Sequence, residues 1–141
     1  MKIRIINGPN LNLLGIRNPE VYGSTSFEDY LNVLKSRFPQ HELSCFQSNH
    51  EGELVEAVQA CLNITDAIII NAGGYTHTSV AIGDALSAVG LPSIEVHISH
   101  VYDRETFRHE SRLSHGVLGV ITGFGLDSYR LAIEALSETQ R

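Results

Sequence analysis

The chain has 141 residues, 43% of them hydrophobic and 18% charged, which is the size and mixture of one domain spanning 1–141. Ten Lys and Arg against sixteen Asp and Glu give a net charge of -6, which speaks against a nucleic-acid partner because phosphate binding needs a concentrated basic face. No apolar run approaches the roughly 20 residues that span a bilayer and no signal-peptide pattern is recognisable, so the expectation is a cytoplasmic protein without a membrane partner.

Val- and Ile-rich runs alternate with segments of helical period, the pattern of βαβ units around a parallel sheet. The first predicted strand, residues 2–7, runs into a long connection that begins Asn7-Gly8-Pro9-Asn10 and continues to Ser24. Connections in α/β units usually take about two to six residues, so this excess loop is read as a lid over a ligand. Phe27, Tyr30, Leu31, Leu34 and Phe38 then recur at helical spacing, Thr25 with Glu28 reads as a capping box, and Pro39 stops the helix. A second strand, 42–47, carries Cys45, and a helix follows over 51–63 with Ser48 and Glu51 at its start and Leu54, Val58 and Cys61 inward. The two cysteines fit neither a zinc spacing nor a CxxC and are read as buried, reduced thiols. The third strand, 66–71, runs into Asn71-Ala72-Gly73-Gly74, where glycine permits close backbone approach, and His77 stands just before a helix over 79–89 that Gly90-Leu91-Pro92 ends. The fourth strand, 92–98, leads through Glu95 and His97 to Ile98 and Ser99, whose backbone N–H groups and hydroxyl suit a carboxylate. A strand at 117–122 and a helix at 127–137 complete the pattern. Right-handed crossovers put helices on both faces, so the predicted fold is α/β, a three-layer sandwich with a flavodoxin-like five-stranded parallel sheet. In that architecture ligands bind beyond the carboxyl ends of the strands.

Taken singly, the polar residues at that edge have ordinary explanations. Asn7, Gly8 and Gly23 read as turn chemistry, Arg17 as a surface charge, Tyr22 as a packed loop aromatic, and His41, His50 and His115 as surface or loop histidines. His97 alone reads equally as a hydrogen-bonded core histidine. Their collection at one sheet edge is what argues for a site. A receiver-type phosphoacceptor fails there, since Asn10 and Asn71 stand where acids are needed. Gly123 to Ser128 lacks the third glycine of a dinucleotide loop, and His97, His100 and His109 lack converging carboxylates for a metal. Imine chemistry needs a buried lysine, and the only lysines are Lys2 at the chain start and Lys35 on a polar helix face. What remains is acid–base work without metal or other cofactor on an anionic, polyhydroxylated small molecule. Arg17 and Arg108 suit a carboxylate or a neighbouring phenol, and Asn10, Asn71, His77, Asp84 and Ser99 suit hydroxyls.

At this level of detail the chain resembles the type II 3-dehydroquinate dehydratases. The motifs that carry the resemblance are NGPNLNLLGIRNPEVYG at 7–23, QSNHEGELVE at 47–56, INAGGYTHTSVAIGDAL at 70–86, IEVHIS at 94–99 and FRHES at 107–111. The resemblance implies a single catalytic domain that eliminates water from 3-dehydroquinate through an enolate to give 3-dehydroshikimate, in the shikimate pathway. It makes Tyr22 the general base, Arg17 the cation that favours its phenolate, Asn10 the enolate stabiliser through a held water, and His97 the general acid oriented by Glu95. It places Asn71, His77 and Arg108 on the ring hydroxyls and the Ile98 N–H with Ser99 on the carboxylate. Asp84 is implied to reach a neighbouring subunit's site within a homododecamer, a tetramer of trimers. The competing class is a flavodoxin-like binding module without turnover, against which the joint presence of Arg17, Tyr22 and His97 argues. Family members commonly carry Pro at Ala72, Ala at Gly74, Arg at Gly83 and Asn at His100, and the stretch from Arg112 to Leu118 is atypical.

Overall fold

Ile3 and Ile5 alternate with Ile6 along the first strand, as side chains two residues apart must, so the strand offers apolar surface to both sides of a sheet. In the computed structural model, which describes residues 1–16 and 19–139 with the side chains of Val21 and Tyr22 left aside, both sides are covered. Strands β1 (Lys2–Asn7), β2 (Glu42–Gln47), β3 (Ala67–Asn71), β4 (Ser93–His97) and β5 (Gly119–Thr122) pair in parallel in the order β2-β1-β3-β4-β5. The helices are a single turn, α1 (Pro19–Tyr22), then α2 (Phe27–Arg37), α3 (Glu51–Ala60), α4 (Val80–Val89) and α5 (Asp127–Thr139). Ile3, Ile5, Ile69 and Val96 pack with Leu34 of α2 and with Tyr129, Ile133 and Leu136 of α5 on one face. Ile6, Ile68 and Ile70 pack with Leu54 and Val58 of α3 and Ile82 and Leu86 of α4 on the other. This is the expected three-layer, flavodoxin-like sandwich. Because β3 is central, all of its residues are buried, which is why it reads as an apolar run up to Asn71 at its end. Full burial of each such isoleucine contributes about 1.5–3 kcal/mol.

The element ends shift from the sequence reading for local reasons. The cap of α2 is Ser26, whose Oγ accepts from the Asp29 N–H, so the capping pair lies one residue beyond Thr25 and Glu28. At α3 the Ser48 hydroxyl accepts from the His50 N–H and donates to Glu53 rather than engaging Glu51. That helix ends at Ala60 because Cys61 to Ile64 turn, with Asn63 at a positive φ of 66°. The fourth and fifth strands are shorter than their apolar runs, since Ile98 and Val117 lie outside the ladder. The register aligns Asn7 with both Gln47 and Asn71, and His97 with Thr122, which brings polar side chains to the carboxyl edge of the sheet. Among the described residues no helix is long and apolar enough to cross a membrane.

Candidate active site

At that edge the loops after β1, β3 and β4 enclose a cleft of about 190 Å³. Its walls include Asn10 and Leu13 from the first loop, Asn71 and His77 from the second, and His97 to Ser99 with Arg104 and Arg108 from the third. The loops approach closely. A Cβ on Gly8 would lie 2.4 Å from the carbonyl oxygen of Ala72, so Gly8 is required by the contact between two loops rather than by a turn. Gly23, at φ 80°, does have turn geometry.

Asn7 likewise has more than turn chemistry. It is buried beneath the cleft, and its Oδ1 accepts a hydrogen bond from the Tyr129 hydroxyl at 2.8 Å. The same hydroxyl accepts from Asn71 Nδ2 at 2.9 Å, and Asn71 Oδ1 accepts from the Gly73 N–H. The Asn71 amide is thereby fixed, with one N–H still available to a ligand. Complete burial pushes the Tyr129 phenol far up from its ordinary value, so it serves as a neutral donor and acceptor.

The end of β4 carries the densest polar arrangement. Glu95 is fully buried on the strand, and two residues on, the same side of the chain presents His97. His97 Nε2 lies 2.6 Å from Glu95 Oε1. The other carboxyl oxygen, Oε2, accepts from the Ser111 hydroxyl at 2.7 Å, and the Ser111 Oγ in turn accepts from the Leu113 N–H. With Nε2–H donated to Glu95, the remaining ring nitrogen of His97 is Nδ1, and His97 lines the cleft. His97 is therefore both a satisfied histidine of the strand end and a cleft residue. His77 stacks beside it, ring centroids 6.1 Å apart and planes 19° apart. His77 Nδ1 donates to the Glu110 carbonyl at 2.8 Å, so in the neutral ring Nε2 is an acceptor. Burial holds the His77 pKa below the usual imidazole value, only partly offset by that backbone bond, and the neighbouring His97 and Arg108 push the same way as burial.

The cations come from the loop after β4. Arg104 Nη1 donates to Ser99 Oγ at 3.1 Å, and Arg108 lies over the Phe107 ring with its Nε donating to Glu105. A guanidinium has only donors, so the Ser99 oxygen must accept, which leaves its own proton for a ligand. Asn10 sits at φ 70° with its N–H on Asn49 Oδ1. The structure thus brings together Asn10, Asn71, Glu95, His97, Ile98, Ser99, His77 and Arg108. Asp84 is apart from them, exposed on α4 and 3.9 Å from His115 Nε2. Arg17 and the Tyr22 side chain lie outside the described residues. His100 turns away from the cleft, against Gly123 and the Tyr102 ring. Both cysteines are free, and burial raises both thiols, Cys45 to about 11. Among the described residues no metal-holding group of three or more His, Cys, Asp or Glu side chains is formed. Sequence reasoning missed Arg104, Ser111 and Tyr129. Arg104, between Asp103 and Glu105, carried no local signal; Ser111 lay in the FRHES motif without a reading of its own, and Tyr129 carried none, because their partners are set by the fold.

Fold and site together define a flavodoxin-like α/β protein with a polar, histidine-lined cleft beyond the carboxyl edge of its sheet. The family model for class II dehydroquinases matches residues 1–137, and the chain belongs to that family. A relative from Exiguobacterium, described as a 3-dehydroquinate dehydratase, is 54% identical over 142 residues, covering 100% of this chain and 97% of the relative. The crystal structure of a type II dehydroquinase from Butyrivibrio crossotus superposes with a TM-score of 0.93 at 47% identity, over 97% of each chain. That of a type II dehydroquinase from Propionibacterium acnes gives 0.91 at 35% identity, over 97% of this chain and 96% of the other.

Proposed function

We propose that this chain is a hydro-lyase that removes water from 3-dehydroquinate to give 3-dehydroshikimate, by an imine-free route without metal or other cofactor. The observation that carries the reading is the Glu95–His97 pair, an imidazole held by a buried carboxylate with Nδ1 as the nitrogen left for the cleft. Tyr22 takes the proton alpha to the ketone, and the electron pair moves into an enolate. A free phenol titrates near about 10, so this step needs a cation beside it, the part given to Arg17. Asn10 supports the enolate oxygen through a held water as charge develops there. His97, as an imidazolium whose Nε2–H stays on Glu95, then gives its Nδ1 proton to the departing hydroxyl as the enolate collapses and the C–O bond breaks, leaving a conjugated enone, water and a neutral imidazole. Ser99, whose oxygen accepts from Arg104 and whose proton is left to donate, and the Ile98 N–H take the substrate carboxylate. Asn71, His77 and Arg108 take the ring hydroxyls, where the remaining Asn71 N–H donates and His77 Nε2 accepts.

Asp84 does not line its own chain's cleft, which fits a role in a neighbouring subunit's site within a homododecamer of four trimers. We place the enzyme in the cytoplasm and give it no nucleic-acid or membrane partner. Tyr22→Phe tests the mechanism. It removes the base but keeps the ring, so turnover should fall by about a hundred-fold or more while binding of a dehydroquinate analogue persists. A Tyr22→Phe variant as active as the parent chain would overturn the assignment, and an inert parent that still binds the analogue would point to a binding module.

A further inference from the structure

We infer that Ser111 is a positioning residue for His97, acting through Glu95; this rests on the function proposed above. The hydrogen bonds along the chain Leu113–Ser111–Glu95–His97 converge on the Glu95 carboxylate, which accepts from Ser111 on one oxygen and from His97 on the other. The Leu113 amide must donate to Ser111 Oγ, so the single Ser111 proton goes to Glu95 Oε2 at 2.7 Å. Glu95 Oε1, 2.6 Å from His97, is then held in the plane that takes the Nε2 proton. Glu95 has no solvent exposure, so its carboxylate depends on protein donors, and Ser111 supplies the one on Oε2. Without it the carboxylate is free to rotate about its last torsion and the imidazole loses its fixed tilt in the cleft.

Ser111 is itself held by its neighbours. The Glu110 carbonyl receives the His77 Nδ1 proton, and the Arg112 N–H donates to the Thr76 carbonyl at 2.7 Å. Three consecutive residues therefore tie both cleft imidazoles to one short segment. That segment lies against α4 at Gly83, where a Cβ would come within 2.3 Å of the Arg112 carbonyl oxygen. Gly83 leaves the space the segment occupies.

Steady-state kinetics on 3-dehydroquinate with Ser111→Ala, Ser111→Thr and the parent chain tests this. Loss of the hydroxyl should lower kcat by about ten- to a hundred-fold and leave KM within about two-fold, while Ser111→Thr, which keeps a hydroxyl, recovers most of kcat. A purely structural role would instead lower the melting temperature of both variants with kcat per folded molecule unchanged. If the alanine variant does not fold, Ser111→Cys, close in volume and a weaker donor, should show an intermediate loss of kcat. An active parent together with a Ser111→Ala, or failing that a Ser111→Cys, of undiminished kcat overturns the role of Ser111 alone. An inert parent overturns the proposed function and this inference with it.

Discussion

Tyr129 reaches the floor of the cleft from α5 and spends its one hydroxyl twice, donating to Asn7 and accepting from Asn71. Tyr129→Phe keeps the ring against Phe27, 4.9 Å away, but leaves two buried polar atoms without that partner. The expected cost is about 1–3 kcal/mol in urea unfolding, together with a raised KM, because Asn71 is no longer fixed. His77 gives the pH dependence at this scale. Its folded-state pKa lies below the unfolded value of about 6.5 because burial disfavours the charged ring. Below that value the unfolded chain binds the proton more readily, so the stabilisation is complete above about pH 6.5 and is lost as pH falls through the folded value. The melting temperature should therefore drop between about pH 7 and about pH 5, and less so in His77→Gln. Position at a strand end put His97 and Ser99 at the cleft edge in the sequence, whereas the part given to Glu95 came only from the family resemblance. Tyr129 was not legible there, since its partners lie 58 and 122 residues away and only the completed fold brings them to it.

Gly83 and Gly52 carry opposite expectations although both are helical glycines. Helix propensity alone makes alanine better than glycine by about 1 kcal/mol at either position. At Gly52 of α3 an added Cβ meets nothing within 4 Å, so Gly52→Ala should raise the urea midpoint by the equivalent of a few tenths to about 1 kcal/mol. At Gly83 of α4 it meets backbone at 2.3 Å, so Gly83→Ala should destabilise by about 1–3 kcal/mol and lower kcat by displacing the segment that carries Ser111. The existence and order of the strands and long helices followed from apolar period, because packing both faces of a sheet demands it. Their ends did not. Thr25 and Ser26 are adjacent hydroxyl residues that each precede an acid by three, and only the backbone path shows that Ser26 is the cap. The extra length of the loop after β1 pointed to the cleft, whereas the docking of Arg112 on α4 depends on a close approach that no local pattern records.

For the molecule as a whole, the parallel order β2-β1-β3-β4-β5 fixes where a ligand sits, since every loop with polar cargo leaves from the same edge. The crossover rule made that edge predictable from sequence. Assembly was not predictable from composition or period, and the proposal of a trimer in which Asp84 serves a neighbour rests on family resemblance alone. Subunit mixing tests it. Asp84→Ala and His97→Ala chains, each inactive alone, should regain activity when unfolded together and reassembled, because some sites then receive an intact Asp84 from one subunit and an intact His97 from another. Absence of any recovery would place Asp84 outside the site. The most direct measurement is the appearance of the conjugated enone by ultraviolet absorbance when the metal-stripped protein, pretreated with borohydride in the presence of 3-dehydroquinate and then freed of it, is given fresh substrate. The proposed mechanism predicts the same rate as for untreated protein. Loss of turnover after borohydride, or turnover that returns only with added metal, would contradict it.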